Sequence, residues 1–285
     1  MRAYFYFILL VFSPSSVAYD FKLALLHGES EVIFSYEISV LRLALANAEG
    51  EHTLDIVPQK QPNQARIFRI LQQNNAPFNI FFSGFSPARE EQLLQVDFPI
   101  SRGLLGHRIF IINKDSQEKM AAIGSLAEMK KGISIGSGIG WPDTEIFKYN
   151  GFEVSSSSYN NLWRMLEAKR FTAFNRGVHE AFIEITQRQP IHNNLIVDSS
   201  LMVVYPLDYF FYITPHRPEL RDTVLQGLEK AFENGEFIEN FNSHPQIKSM
   251  LKQLRPQGRR IFYLENPFLS KRVKEIPKKY WLQIE

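Results

Sequence analysis

Short apolar runs alternate with amphipathic stretches along this chain, and that alternation restricts it to few folds. Phe21–Leu26 reads as a strand. Tyr36–Ala48 carries apolar residues at helical spacing, with Gly50 just past its end. Thr53–Val57 reads as a second strand, Asn63–Gln73 as a helix, and Phe78–Phe82 as a third strand ending at Ser83-Gly84. Strand–helix–strand–helix–strand predicts a doubly wound α/β lobe with a mostly parallel sheet. The pattern then restarts. His107–Asn113 and Ile133–Ile135 read as strands, followed by a glycine-rich loop at Gly136–Gly140. Helices are predicted over Pro142–Tyr149, Asn160–Ala168 and Val178–Gln187, with a strand at Phe171–Phe174. Leu195–Val197 and Leu201–Tyr205 are strands, and Pro218–Asn234 is an amphipathic helix. Two α/β units follow, with lobe one formed by 19–102 plus 200–285 and lobe two by 103–199. The chain then crosses between lobes twice. That predicts a two-strand hinge beside a cleft, the place where open α/β sheets bind ligands.

The first 18 residues have the form of a cleavable leader. Arg2 is positive, Ala3–Phe12 is apolar throughout, Ser13–Ser16 breaks the run, and Ser16-Val17-Ala18 is a small–x–small cleavage pattern. A membrane-spanning helix needs about 20 apolar residues, so this run is too short to anchor the chain. Export is expected, and in a bacterium the compartment is the periplasm. The chain has no cysteine, which excludes disulfides, a lipoprotein anchor, and thiolate-held zinc or iron–sulfur centres. Its core must carry the stability, and 45% apolar residues suffice for that. A net charge of +2 gives no reason to expect nucleic acid as a partner. A monomer is expected.

Four stretches, in order and spacing, resemble the extracellular solute-binding protein family 3, the amino-acid-type receptors of ATP-driven importers. They are Ser83–Arg89 with Val96-Asp97-Phe98, Leu126–Thr144, Leu166–Phe174 and Leu220–Phe241. The resemblance implies a two-lobed periplasmic-binding-protein type II fold that closes on a small molecule. It implies ligand contacts from Arg89, Ser83 and Gly84 in lobe one. From lobe two it implies Gly138, Gly140, Trp141, Pro142, Asp143 and Thr144. A guanidinium fork suits a carboxylate, and a helix N-terminus offers free donors and partial positive charge. At the family's acidic position for an amino group this chain has Gly177, with Arg176 beside it. Arg176 is therefore a candidate contact to an anionic, carboxylate-bearing ligand; the alternative is that it pairs with Glu180, four residues on. Trp141 is expected either to stack on ligand or to pack the lobe, and Asp143 either to touch ligand or to cap its helix. His27, Glu29 and Tyr36 are candidates to line lobe one. The implied partner is a membrane ABC permease, with docking on a membrane sensor as the alternative.

An enzyme of the periplasmic dehydratase type is the remaining reading. Its only titratable candidates are Glu29, Glu31, His179 and Glu180, which form no recognisable catalytic constellation. Gly132–Gly136 matches the GxSxG pattern, but Ser134 falls within a strand and not on a turn into a helix. Gly136, Gly138 and Gly140 lack the final glycine and distant acid of a dinucleotide fingerprint. No metal-ligand spacing occurs among the histidines. No catalytic residue, metal or cofactor is expected. The tail after Ser243 is basic and aromatic, with a helix expected over His244–Arg260 and a strand at Ile261–Leu264. It is read as a strap over lobe one, or else as a docking surface.

Overall fold

The computed structural model describes residues 17–26, 31–59, 64–254 and 258–282. The expected leader, but for its last two residues, and His27 and Glu29 lie outside these described residues. The chain opens with β1 (Asp20–Leu26), α1 (Ser35–Asn47), β2 (Thr53–Gln59), α2 (Gln64–Leu71), β3 (Ile80–Gly84), α3 (Pro87–Gln92) and β4 (Leu94–Gln95). It continues through β5 (His107–Asn113), α4 (Gln117–Ala121), α5 (Leu126–Gly132), β6 (Ser134–Gly138), α6 (Pro142–Tyr149) and β7 (Glu153–Ser157). Then come α7 (Tyr159–Glu167), β8 (Ala173–Gly177), α8 (Val178–Arg188), β9 (Leu195–Val197) and β10 (Leu201–Val204). The last elements are β11 (Tyr209–Ile213), α9 (Pro218–Glu233), α10 (Glu236–Ser243), α11 (Pro245–Leu254), β12 (Arg260–Tyr263) and α12 (Lys271–Lys274).

Two sheets form. The first has the order β2-β1-β3-β11-β4 and the second β12-β10-β5-β8-β6-β7, with β9 also on β5. Each contains one reversed strand. β11 runs against its neighbours β3 and β4, and β5 runs against β8, β9 and β10; the other pairings are parallel. On each reversed strand the chain arrives from the other lobe. Helices cover both faces, so central strands such as β3 and β8 are buried along their whole length. The close crossing of α1 and α9 depends on Gly227, where a Cβ would lie 1.9 Å from the carbonyl oxygen of Ala44.

The two crossings run side by side. Gly106 N donates to Leu207 O at 3.0 Å, Tyr205 N to Gly106 O at 3.1 Å, and Ile100 N to Tyr209 O at 3.0 Å. A Cβ on Gly106 would sit 2.0 Å from Tyr205 O, so only glycine permits this approach. The tail adds a third crossing and a fourth. Within the stretch assigned to lobe one by sequence, Leu201–Val204 and Arg260–Tyr263 hydrogen-bond into the second sheet. The chain then returns to lobe one, where Ser270 Oγ donates to Glu90 and Arg272 Nε to Asp97 Oδ2 at 2.6 Å. Tyr280 packs against Phe98 and Phe232 there. The tail therefore straps both lobes together at the hinge.

Two local expectations shift and one unsignalled strand appears, while Ser134 lies in a strand as expected. Gly136–Gly138 is strand, not loop, because its backbone pairs with Ser155–Ser157 of β7. That strand, Glu153–Ser157, is mostly serine and gives no apolar signal of its own. β8 starts at Ala173 and extends to Gly177, which carries Arg176 within the sheet. Ser134 lies in β6 with its hydroxyl against Thr172, away from any strand-to-helix turn. Among the described residues no helix is long and apolar enough to cross a membrane, and no cluster of metal-binding side chains occurs.

Candidate functional site

The cleft between the lobes encloses about 200 Å³ where strands end and helices begin. Lobe one contributes Phe34, Gln64, Ser83 and Gly84. Lobe two contributes Gly138, Trp141, Pro142 and Asp143 from the β6–α6 turn, Ser157–Asn160 from the β7–α7 turn, and Arg176, Glu180 and Arg188 around α8. Arg108 and Tyr209 come from the two reversed strands. The lobes touch: a Cβ on Gly84 would be 3.5 Å from the Pro142 ring, and Arg89 Nη2 donates to Gly140 O at 2.9 Å. α11 ties the lobes again behind the cleft, where Gln246 Nε2 donates to Ile33 O at 2.8 Å and His179 O at 3.2 Å.

Seven sequence candidates line this cavity: Ser83, Gly84, Gly138, Trp141, Pro142, Asp143 and Arg176. Arg89, Gly140 and Thr144 stand behind its wall. The Arg89 guanidinium is buried, with Nη1 donating to Ser83 Oγ and Gly84 O and Nη2 to Gln64 Oε1 and Gly140 O. Burial without a carboxylate partner lowers its pKa to about 10. Thr144 Oγ1 donates to Ser137 Oγ at 2.8 Å and serves the turn. Tyr36 is buried with its hydroxyl on Ile100 O at 2.9 Å, away from the cavity.

Arg176 has partners within the protein. Its Nε and Nη2 each donate to Glu184 at 2.6 Å, and Nη2 lies 3.2 Å from Glu180. The Trp141 ring covers the guanidinium at 4.7 Å and stacks on Phe174. Trp141 also lies flat on Gly138, where a Cβ would be 2.2 Å from the indole. Asp143 does not cap α6. Its Oδ1 accepts from Arg108 Nε at 2.7 Å, from Arg108 Nη2 and from the Tyr205 hydroxyl.

Sequence reasoning missed Arg108 and the part played by Glu184. Glu180, weighed as a local partner of Arg176 and as a titratable candidate for an enzyme, stands on the cavity wall, where its Oε2 accepts from Gly177 N at 2.8 Å and its Oε1 from the Tyr209 hydroxyl. Burial opposes its charge, but Arg176, His179 and Arg108 outweigh that and hold its pKa at about 2. Burial likewise opposes a charged His179; the carboxylates of Glu37 and Glu180 nevertheless raise its pKa, with Glu37 Oε1 at 3.4 Å across the lobe boundary. Two signals were present: Arg108 is a charge inside an apolar strand, and Glu180 and Glu184 share one face of α8 by helical spacing, just after Arg176.

No family model and no curated protein sequence matches the chain. Solved structures do. An arginine-specific periplasmic binding protein of Salmonella typhimurium superposes with a TM-score of 0.53 and 12% identity, over 79% of this chain and 97% of that one. The substrate-binding protein of an amino acid ABC transporter gives 0.52 and 12%, over 79% and 98%. A histidine kinase sensor domain similar to periplasmic binding proteins gives 0.51 and 14%, over 73% and 84%. The chain has the two-lobed periplasmic-binding-protein fold, mixed α/β with two mostly parallel sheets.

Proposed function

We propose that this chain is a periplasmic solute-binding protein of the family 3 type, which closes as a monomer on a small polar, carboxylate-bearing ligand and delivers it to a membrane ABC permease. The composition of the cleft supports this reading most directly. Arg108, Arg176 and Arg188 line it and Arg89 backs it, against three carboxylates, Asp143, Glu180 and Glu184. The balance leaves a positive excess in a largely water-excluded space, which favours an anion. Ser83, Gly84, Gly138, Trp141 and Pro142 form the walls, and ligand binding replaces lobe–lobe contacts such as that between Gly84 and Pro142. The chain crossings give the lobes the hinge such closure uses. The binding proteins among its solved neighbours favour reading it as a binder.

Thermal unfolding against L-glutamate, succinate, benzoate, L-arginine and glycylglycine tests the reading. A ligand at 100 times its dissociation constant adds about 2.7 kcal/mol of stability. Stabilisation by one or more of the anions is the expected result; stabilisation by L-arginine alone would reverse the charge assignment. Docking on a membrane sensor is a second output of the same clamp, favoured by the likeness to the kinase sensor domain. Ligand-dependent stimulation of a reconstituted permease ATPase separates the two.

A further inference from the structure

Arg108 is the second residue of β5, with Gly177 of β8 opposite it in register. The side chain is 2% exposed, yet the residue lines the cleft. Asp143 Oδ1 takes both Nε and Nη2, and the Tyr205 hydroxyl lies 3.1 Å from Nε, so the plane of the guanidinium is fixed. Nη1 is left without a hydrogen-bond partner. Its nearest carboxylate, Glu180 Oε2, is 3.6 Å away and already accepts from Gly177 N. Glycine at 177 keeps that side of the guanidinium clear of a side chain: a Cβ there would lie 3.2 Å from Nη1 and 3.0 Å from Glu180 Oε2.

The guanidiniums of Arg89 and Arg176 compare poorly as ligand grips. Both terminal nitrogens of Arg89 are engaged by four protein acceptors. Arg176 is held by Glu184 through two bonds. A buried charged donor without an acceptor is a standing penalty to the folded state, and an incoming oxyanion removes it. We infer that Arg108, on the hinge strand, is the residue that recognises the ligand's carboxylate, through Nη1. The inference rests on the cleft reading above. It also couples binding to closure, since β5 belongs to the crossing about which the lobes turn.

Titration calorimetry of the purified protein with the carboxylate that stabilises it most, among L-glutamate, succinate and benzoate, tests this. Arg108→Lys keeps the charge but loses the fork. The double variant Arg108→Gln/Asp143→Asn removes both charges together and leaves neither buried ion alone. Each is expected to weaken binding at least tenfold. Unchanged affinity in a folded variant overturns the inference and leaves the clamp reading standing. A crystal structure of the unaltered protein with the same carboxylate needs no variant. An oxygen within 3.2 Å of Nη1 supports the assignment; a carboxylate held by Arg89 alone overturns it. If none of the three carboxylates binds the unaltered protein, the anion-clamp reading and this inference fall together.

Discussion

At the scale of single residues, the cleft is governed by charges that compensate one another out of water. Arg176 is 4% exposed and faces two carboxylates. Replacing it by alanine strands Glu184 and Glu180 without their cation, and breaking a buried pair in this way costs about 3–5 kcal/mol. Arg176→Ala is therefore expected to lower the urea midpoint sharply, while Arg176→Met/Glu184→Leu restores much of the loss. A double variant no more stable than the single one would show that the pair is not the source. Gly138 offers a second test. Gly138→Ala drives a methyl into the Trp141 indole and lifts the ring from Arg176. A changed tryptophan emission and weaker ligand binding are expected; an unchanged spectrum would contradict the packing.

At the scale of elements, the lobes meet through helices as well as through the crossings. Glu37 of α1 and His179 of α8 are fully buried against each other across the boundary. Glu180, Tyr209 and Asp208 also bear on this imidazole. The folded pKa of His179 lies above 6.5, so its stabilising contribution is fully present below that pH and is lost as pH rises through the folded value. Asp208, whose pKa burial pushes up to about 6, acts in the same direction but at lower pH, between the usual carboxylate range and about 6. Melting temperature should fall from pH 6 to pH 9 by more in the natural protein than in His179→Gln, which thermal scans across that range would measure. Parallel curves would remove His179 as the cause. The α1–α9 crossing is equally specific. Gly227→Ala overpacks it against Ala44, with an expected loss of about 1–3 kcal/mol readable by urea unfolding.

At the scale of the molecule, the tail makes this a clamp with four crossings, two of them its own. β12 extends the second sheet, while Val273, Ile276 and Tyr280 are buried on the first lobe. Ending the chain after Gly258 should lower the melting temperature and raise hydrogen exchange at Val204 and Leu207, beside the lost contacts. Unaltered exchange there would mean that the strap does not restrain the hinge.

Much of this architecture was legible in the chain. His107–Asn113 and Pro142–Tyr149 occur with the bounds that periodicity predicts, because an apolar run or a proline at the first helical turn is a local signal. The cleft position of Ser83, Trp141 and Arg176 was likewise within reach of motif order. β7 was not, because a serine-rich edge strand owes its conformation to the backbone of β6. Nor was the pairing state of any guanidinium. Arg108 meets Asp143 from 35 positions away and Tyr205 from 97, and no local pattern encodes such distances. The sequence by itself determined two wound lobes, a cysteine-free core and arginines near strand ends, since these follow from side-chain periodicity and composition. Only the tertiary structure decided which arginine is satisfied and which keeps a free donor, because that depends on the partners that folding places beside it.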